Sequence, residues 1–395
     1  MIRCIKTQKQ TILEIYDIIV SETIFDRKLK ELQMNNKSIL PTFNTENGIE
    51  FGVYSLGDHL PNPMTGELIS PSQRIEEIIE LAKYAETLGF DIFQLGESHQ
   101  EHFLSQGHLI ILAAIARETK NIKLSSAVST ISVLDPVRVF EDAATIDLLS
   151  GGRMELIAGR ASRIGSFELF GLDHKDYDEI FEEKLDLLLK INQNERVSWS
   201  GKFRPALKEA LILPRPENAR KGLPIWRGVG NSSSSAIKAG RAGVPLFQAH
   251  LAGAAQTYQH RIRHYKDAGY EAGFTDDQLP VGTGGILHLA DTTEEAFKVA
   301  YPHFNAGFQL TNGQDFPKRG FAQGISPKSV TLIGDTKLVT EKIIYQYDLY
   351  KQQRFTIQCD FGGLPLDEVK HTLYLFATEV MPKVKQHIIE SKEKD

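Results

Sequence analysis

Cysteine is almost missing from this chain: Cys4 and Cys359 are the only two among 395 residues. They stand far apart, with no partner at metal-ligand spacing, so neither a disulfide framework nor a metal site is expected. So few cysteines suit a reducing compartment, and a cytoplasmic protein is the expectation. No apolar run reaches the roughly 20 residues that a membrane span needs. The apolar patch from Ile12 to Val20 is interrupted by Glu14 and Asp17 and lacks a small-residue cleavage site, so it does not read as a signal peptide. Positive charge is not in excess either. With 45 basic and 51 acidic residues the net charge is -6, which leaves no basic field for nucleic acid or anionic lipid. A Rossmann fingerprint is also absent, so no NAD(P)H site is expected.

What remains is 41% hydrophobic and 24% charged, the profile of a soluble chain with room for one large barrel or two modest domains. Residues 1–46 read as an N-terminal extension, non-native or disordered, with Met34 resembling an ordinary protein start; a genuine N-terminal helix packed on the barrel is the alternative. Residues 47–390 read as one domain.

From Ile49 onward, short apolar runs alternate with amphipathic stretches, the pattern of parallel strands joined by crossover helices. The expected strands are 49–56, 91–95, 122–131, 153–158, 224–229, 244–249, 281–289 and 354–360. Between them, a helix over 72–88 is expected to start at Ser72 as N-cap and stop at Gly89. Asp135-Pro136 opens another helix, and Ile180, Leu185, Leu188 and Leu189 mark one over 177–191. Eight strand-helix repeats within about 340 residues predict an α/β fold of the TIM (β/α)8 type; an open doubly wound sheet is the alternative. Residues 311–333 form an insertion before the last strand, expected beside the barrel mouth.

Active sites on such a barrel lie at the strand C-termini. After strand two comes Gly96-Glu97-Ser98-His99-Gln100-Glu101-His102, a concentration of imidazole and carboxylate suited to proton transfer, or a solvated, salt-bridged loop. Strand four ends in Gly159-Arg160-Ala161-Ser162, where Arg160 offers a planar fork to a phosphate or an electron-rich ring. Strand five ends in Gly230-Asn231-Ser232-Ser233-Ser234-Ser235, running into a helix: an anion cradle of free N–H groups and hydroxyls, suited to a phosphate monoester. Asp360-Phe361-Gly362-Gly363-Leu364-Pro365 either closes a ligand pocket or only turns the chain.

Together these segments, with Asp135-Pro136-Val137-Arg138-Val139-Phe140, Ala144 through Arg153, Leu213-Pro214-Arg215-Pro216 and the closing Phe361-Gly362-Gly363-Leu364-Pro365, resemble the bacterial-luciferase-like flavin-dependent monooxygenases over roughly residues 49–385. The resemblance implies a luciferase-like barrel whose FMN phosphate is held by Arg160, Asn231, Ser232 and Ser235, with a non-prolyl cis peptide at Ala127-Val128 beneath the flavin ring. It further implies reduced FMN from a separate flavin reductase, O2 as co-substrate, an aldehyde, sulfonate or other small organic substrate, and a homodimer. The deazaflavin F420 is the alternative cofactor, and a flavin binder without catalysis the alternative function. The family commonly has Glu-His-His where this chain has Glu97-Ser98-His99. A serine hydroxyl cannot act as a base near neutrality, so His99 is the first candidate for that work and His102 the second, unless the chemistry needs none. The substrate is expected to meet the strand-one loop (Asp58, His59), the strand-two loop and the 311–333 insertion.

Overall fold

A computed structural model of the protein describes residues 39–43, 48–161, 164–217, 222–250 and 252–392. Eleven strands occur among them: β1 Glu50–Ser55, β2 Ile92–Leu95, β3 Lys123–Ser126, β4 Met154–Ala158, β5 Arg196–Trp199, β6 Leu207–Leu211, β7 Ile225–Val229, β8 Leu246–Ala249, β9 Val281–Leu289, β10 Leu332–Gly334 and β11 Arg354–Gln358. The parallel order β11-β1-β2-β3-β4-β7-β8 is closed by β9, which pairs with both β8 and β11. Eight parallel strands therefore form a closed barrel, as the alternation predicts. The far end of β9 also holds the short β10 in register, Leu332 opposite Leu287.

Twelve α-helices occur among the described residues: α1 Pro71–Thr87, α2 His108–Glu118, α3 Pro136–Ser150, α4 Ile164–Leu169, α5 Tyr177–Gln193, α6 Ser233–Arg241, α7 Ala255–Glu271, α8 Thr293–Asn312, α9 Lys318–Ala322, α10 Thr336–Tyr350, α11 Leu366–Leu375 and α12 Met381–Lys392. Strands of a closed parallel barrel are buried on both faces, and β4 and β11 are buried at every position, Glu155, Arg354, Thr356 and Gln358 included. Helices start where side chains cap them. The Asp135 carboxylate accepts from the Val137 N–H at 2.8 Å with Pro136 in the first turn, and Gly151 ends α3 at φ 70°. The cap of α1 is Ser70 rather than Ser72, because Pro71 already occupies the first turn and the Ser70 hydroxyl accepts from Gln73.

Further differences from the expectation have physical causes. Regular pairing of the third strand ends at Ser126, since the next peptide, Ala127-Val128, is cis. An antiparallel ribbon of β5 and β6 lies before β7, where short alternating runs escaped notice. The 311–333 segment is not structureless but contains α9 and the start of β10.

The N-terminal end of the barrel is sealed by ions. Arg354 donates to Glu50 at 2.8 and 3.0 Å and to Glu155 at 2.7 and 3.0 Å, and Trp226 Nε1 donates to Glu155 at 2.8 Å. All four side chains are buried, and Lys123 pairs with Glu50 from the side. Phe43 packs edge-on against Trp226 with ring centroids 6.1 Å apart. Of the expected extension only residues 39–43 are described; residues 1–38 and 44–47 lie outside the described set.

Candidate active site

At the opposite end, the strand C-termini enclose a largely apolar cavity of about 540 Å³. Its floor is the Ala127-Val128 peptide, cis at the position implied by the resemblance. Three strand-terminal glycines make room for it. A Cβ on Gly159 would lie 2.3 Å from Val128 Cγ2, one on Gly228 would lie 2.9 Å from Val128 Cγ1, and one on Gly96 would lie 2.8 Å from the Ala127 carbonyl oxygen. The floor is also bonded on both sides of the cis peptide to the end of β2 and the residue beyond it, since Ala127 N–H donates to Leu95 and Glu97 N–H donates to Val128.

Glu97, Ser98, His99 and His102 line one wall. The Glu97 carboxylate accepts from Thr130 N–H at 2.7 Å and Thr130 Oγ1 at 2.6 Å, and meets His99 Nε2 at 2.5 Å. Burial opposes its charge, but the bonds from His99 and Thr130 outweigh burial and hold the carboxyl below its ordinary value. Glu97 thus stays ionised, fixes the loop that follows the cis peptide and orients His99, whose ring stands edge-on to Phe170 at 4.8 Å. His108, buried behind this wall, is pushed down to about 4 by burial and is neutral.

Arg160 lies at the cavity margin, where its Nη1 donates to Ser235 Oγ at 3.1 Å. Arg227, which the sequence reading missed because it sits inside β7, donates through Nε to the same oxygen at 3.0 Å. Two guanidinium groups thus donate to this one buried hydroxyl oxygen. Glu182 of α5 balances the charge: it accepts from Arg160 at 3.1 Å, from Arg227 at 2.6 and 2.9 Å and from Lys238 at 3.1 Å. The Phe181 ring lies 3.9 Å from the Arg160 guanidinium and 5.0 Å from that of Arg227. Ser232 caps α6 through the Ser235 N–H and contacts Ser234 Oγ at 2.9 Å. Gly230 is exposed and Ser233 half-buried near the same helix start, while Asn231 turns its Oδ1 to Arg261 at 3.1 Å. Ser162 lies outside the described residues.

The third wall was not legible in sequence. It is α8, through His303, Phe304, Gly307, Phe308 and Leu310, and not the 311–333 insertion, which supports α8 from behind: Phe316 and Phe321 pack on Phe304 at 5.1 and 5.3 Å. The Phe361-Gly362-Gly363 turn clamps α8 to the loop after β1. A Cβ on Gly362 would meet the His303 carbonyl oxygen at 2.0 Å, and one on Gly363 the Pro61 oxygen at 2.7 Å, so both positions require glycine. Asp58 reaches the cavity, whereas His59 bonds the Ile69 oxygen at 2.8 Å and faces a separate cleft of about 350 Å³. Burial, and then Asp360, push Asp58 up to about 6. Among the described residues, no His/Cys/Asp/Glu group is arranged to hold a metal, and no helix is long and apolar enough to cross a membrane.

Residues 49–345 match the luciferase-like monooxygenase family, about three quarters of the chain. The chain belongs to that family. The N-acetyl-S-alkylcysteine monooxygenase of Bacillus subtilis is 26% identical over 250 residues, covering 60% of this chain and 69% of the relative. Two solved structures share the fold. One is the oxygenating constituent of 3,6-diketocamphane monooxygenase of Pseudomonas putida, solved with FMN (TM-score 0.68, 20% identity, 85% of this chain and 98% of that one). The other is the coenzyme F420-dependent tetrahydromethanopterin reductase of Methanopyrus kandleri (TM-score 0.63, 17% identity, 85% and 99%). The family match stops before β11, although that strand and the glycine turn after it complete the barrel and the cavity.

Proposed function

We propose that this luciferase-like protein is a flavin-dependent monooxygenase that takes reduced FMN from a separate flavin reductase and uses O2 to oxidise a small organic substrate, working as a cytoplasmic homodimer. The observation that carries the reading is the continuity of the site: a phosphate-type cradle at Arg160, Arg227 and Ser235 adjoins an apolar cavity floored by the cis Ala127-Val128 peptide. The buried Arg160 Nε, which has no hydrogen-bond partner though 3.4 Å from Asp178, fits a dianionic phosphate. Asn231, Ser232, Ser233 and the Gly230 backbone would complete the grip. Reduced FMN, when bound, supplies the activation of O2. The chain's residues then bind the phosphate, support the ring at Ala127 and Val128, exclude water with Phe304, Phe308 and Phe361, and hold a proton at His99, oriented by Glu97, with the Ser98 hydroxyl as a hydrogen-bond donor beside it.

The P. putida relative supports FMN and separate components, being an oxygenating constituent with FMN bound. F420-dependent hydride transfer is the second reading, favoured by the shared barrel of the M. kandleri reductase. Anaerobic titration with each reduced cofactor, read by fluorescence, separates them. Binding of reduced FMN followed by oxygen uptake is expected; F420 binding with no affinity for FMN refutes the first reading, and tight FMN binding without substrate-dependent oxygen uptake points to a flavin binder that has lost catalysis.

A further inference from the structure

We propose that His303 is the substrate-recognising acceptor of this cavity, and that the substrate is a neutral, largely apolar molecule carrying one O–H or N–H donor that bonds His303 Nε2. The assignment rests on the flavin reading insofar as it treats the cavity as the substrate end of that site. A carbonyl oxygen can only accept, so the 2.8 Å contact between His303 Nδ1 and the Gly362 carbonyl places hydrogen on Nδ1. Nε2 is then a bare lone pair. The ring is 3% exposed and lines the cavity, and Nε2 has no hydrogen-bond partner among the described residues.

The tautomer is held from several sides. Gly362 is pinned by its own N–H, which donates to Asp58 Oδ2 at 3.2 Å, so one glycine bridges two groups of the same wall. Burial keeps His303 below its ordinary value despite the Gly362 bond and the nearby Glu368. His288, also near, is pushed down to about 4 by burial and adds no cation. A neutral imidazole presenting a lone pair in an apolar enclosure selects ligands by rejection: a molecule without a donor leaves Nε2 buried and unpaired. Phe304, Phe308, Phe103 and Phe361 supply faces for an apolar ring or chain. His303 faces Ser98 and His99 as a further wall of the same cavity, so recognition here does not depend on the position where this chain has serine.

The test compares phenol with anisole, which has nearly the same shape but no donor, binding to the full chain at pH 7.5 with and without reduced FMN. Phenol should bind the wild type about tenfold more tightly. His303→Asn keeps a donor in place of Nδ1 for the Gly362 carbonyl and deletes only Nε2, so it should fold and lose the preference; His303→Gln, with an amide oxygen near Nε2, should retain part of it. Nitrogen-15 shifts of His303 should report hydrogen on Nδ1. Equal affinity in the wild type, an undiminished preference in His303→Asn, hydrogen on Nε2, or binding of neither probe overturns the assignment. If reduced FMN fails to bind while the preference persists, the flavin reading falls alone; if FMN binds without any preference, only this assignment falls.

Discussion

Arg160→Met deletes a guanidinium while leaving an apolar stem over Phe181, which lies 3.9 Å from the charged group in the wild type. Three things are lost: the bond to Ser235 Oγ at 3.1 Å, the bond to Glu182 at 3.1 Å and a positive charge at a buried margin where Arg227 remains. A hydrogen bond to a charged partner contributes about 1.5–3 kcal/mol, so the Kd for reduced FMN should rise roughly ten- to 150-fold. Arg227 still pairs with Glu182 and Ser235, which argues for the lower part of that range. The assay is an anaerobic fluorescence titration run in parallel with reduced riboflavin, which has the same ring and no phosphate. Wild type should prefer FMN over riboflavin strongly and the variant weakly, with riboflavin affinity itself unchanged, and the FMN affinity of the wild type should fall more steeply with salt. Equal losses for FMN and riboflavin would show that Arg160 acts on the ring or the fold, and the phosphate assignment would fail.

Ser98→His restores the residue common in the family; it should raise substrate-dependent oxygen uptake if the serine limits turnover, and unchanged uptake would show that the wall works without it. Arg354→Met should destabilise the fold by about 3–5 kcal/mol at pH 7.5, because two buried carboxylates lose their shared partner. In the wild type Glu155 is held below its ordinary value, pairing with Arg354 outweighing burial, so its contribution is present above the usual carboxylate range and is lost as pH falls. The variant should therefore recover relative stability in urea melts on acidification, and a pH-independent deficit would contradict the argument. Asp58→Asn has the opposite sign: the raised folded value near 6 favours the protonated form, a benefit lost as pH rises through 6. The variant should melt above wild type at pH 8, and the gap should narrow as pH falls below 6 and close only below about 4, the ordinary carboxylate value.

The barrel was legible because short, mostly apolar strand runs alternate with crossover helices that are apolar on one face, even where buried polar residues such as Arg354 and Glu155 interrupt the strands. The cradle was half legible. Glycine and serine after a strand speak of a phosphate, and Ser235 does meet Arg160. Arg227 and Glu182 did not show, since a strand arginine and a helix glutamate look like ordinary polar-face residues until folding brings them within 2.6 Å of each other. The cis peptide was legible only through the family resemblance, because nothing in Ala-Val signals it locally. Ser70-Pro71 repeats the cap-and-proline pairing of Asp135-Pro136, a local signal that favours Ser70 over Ser72 as the cap. His303 could not be read as a site residue, because the contact that defines it is with Gly362, 59 positions along the chain.

The buried ion network of Glu50, Glu155 and Arg354 joins β1, β4 and β11 at the end of the barrel away from the cavity. Closure is thereby fastened by residues that do not line the cavity. For protein engineering this means that loops at the rim are exchangeable parts: libraries confined to α8 and the segments after β1 and β2 can search for new substrates while the joint between first and last strands stays intact.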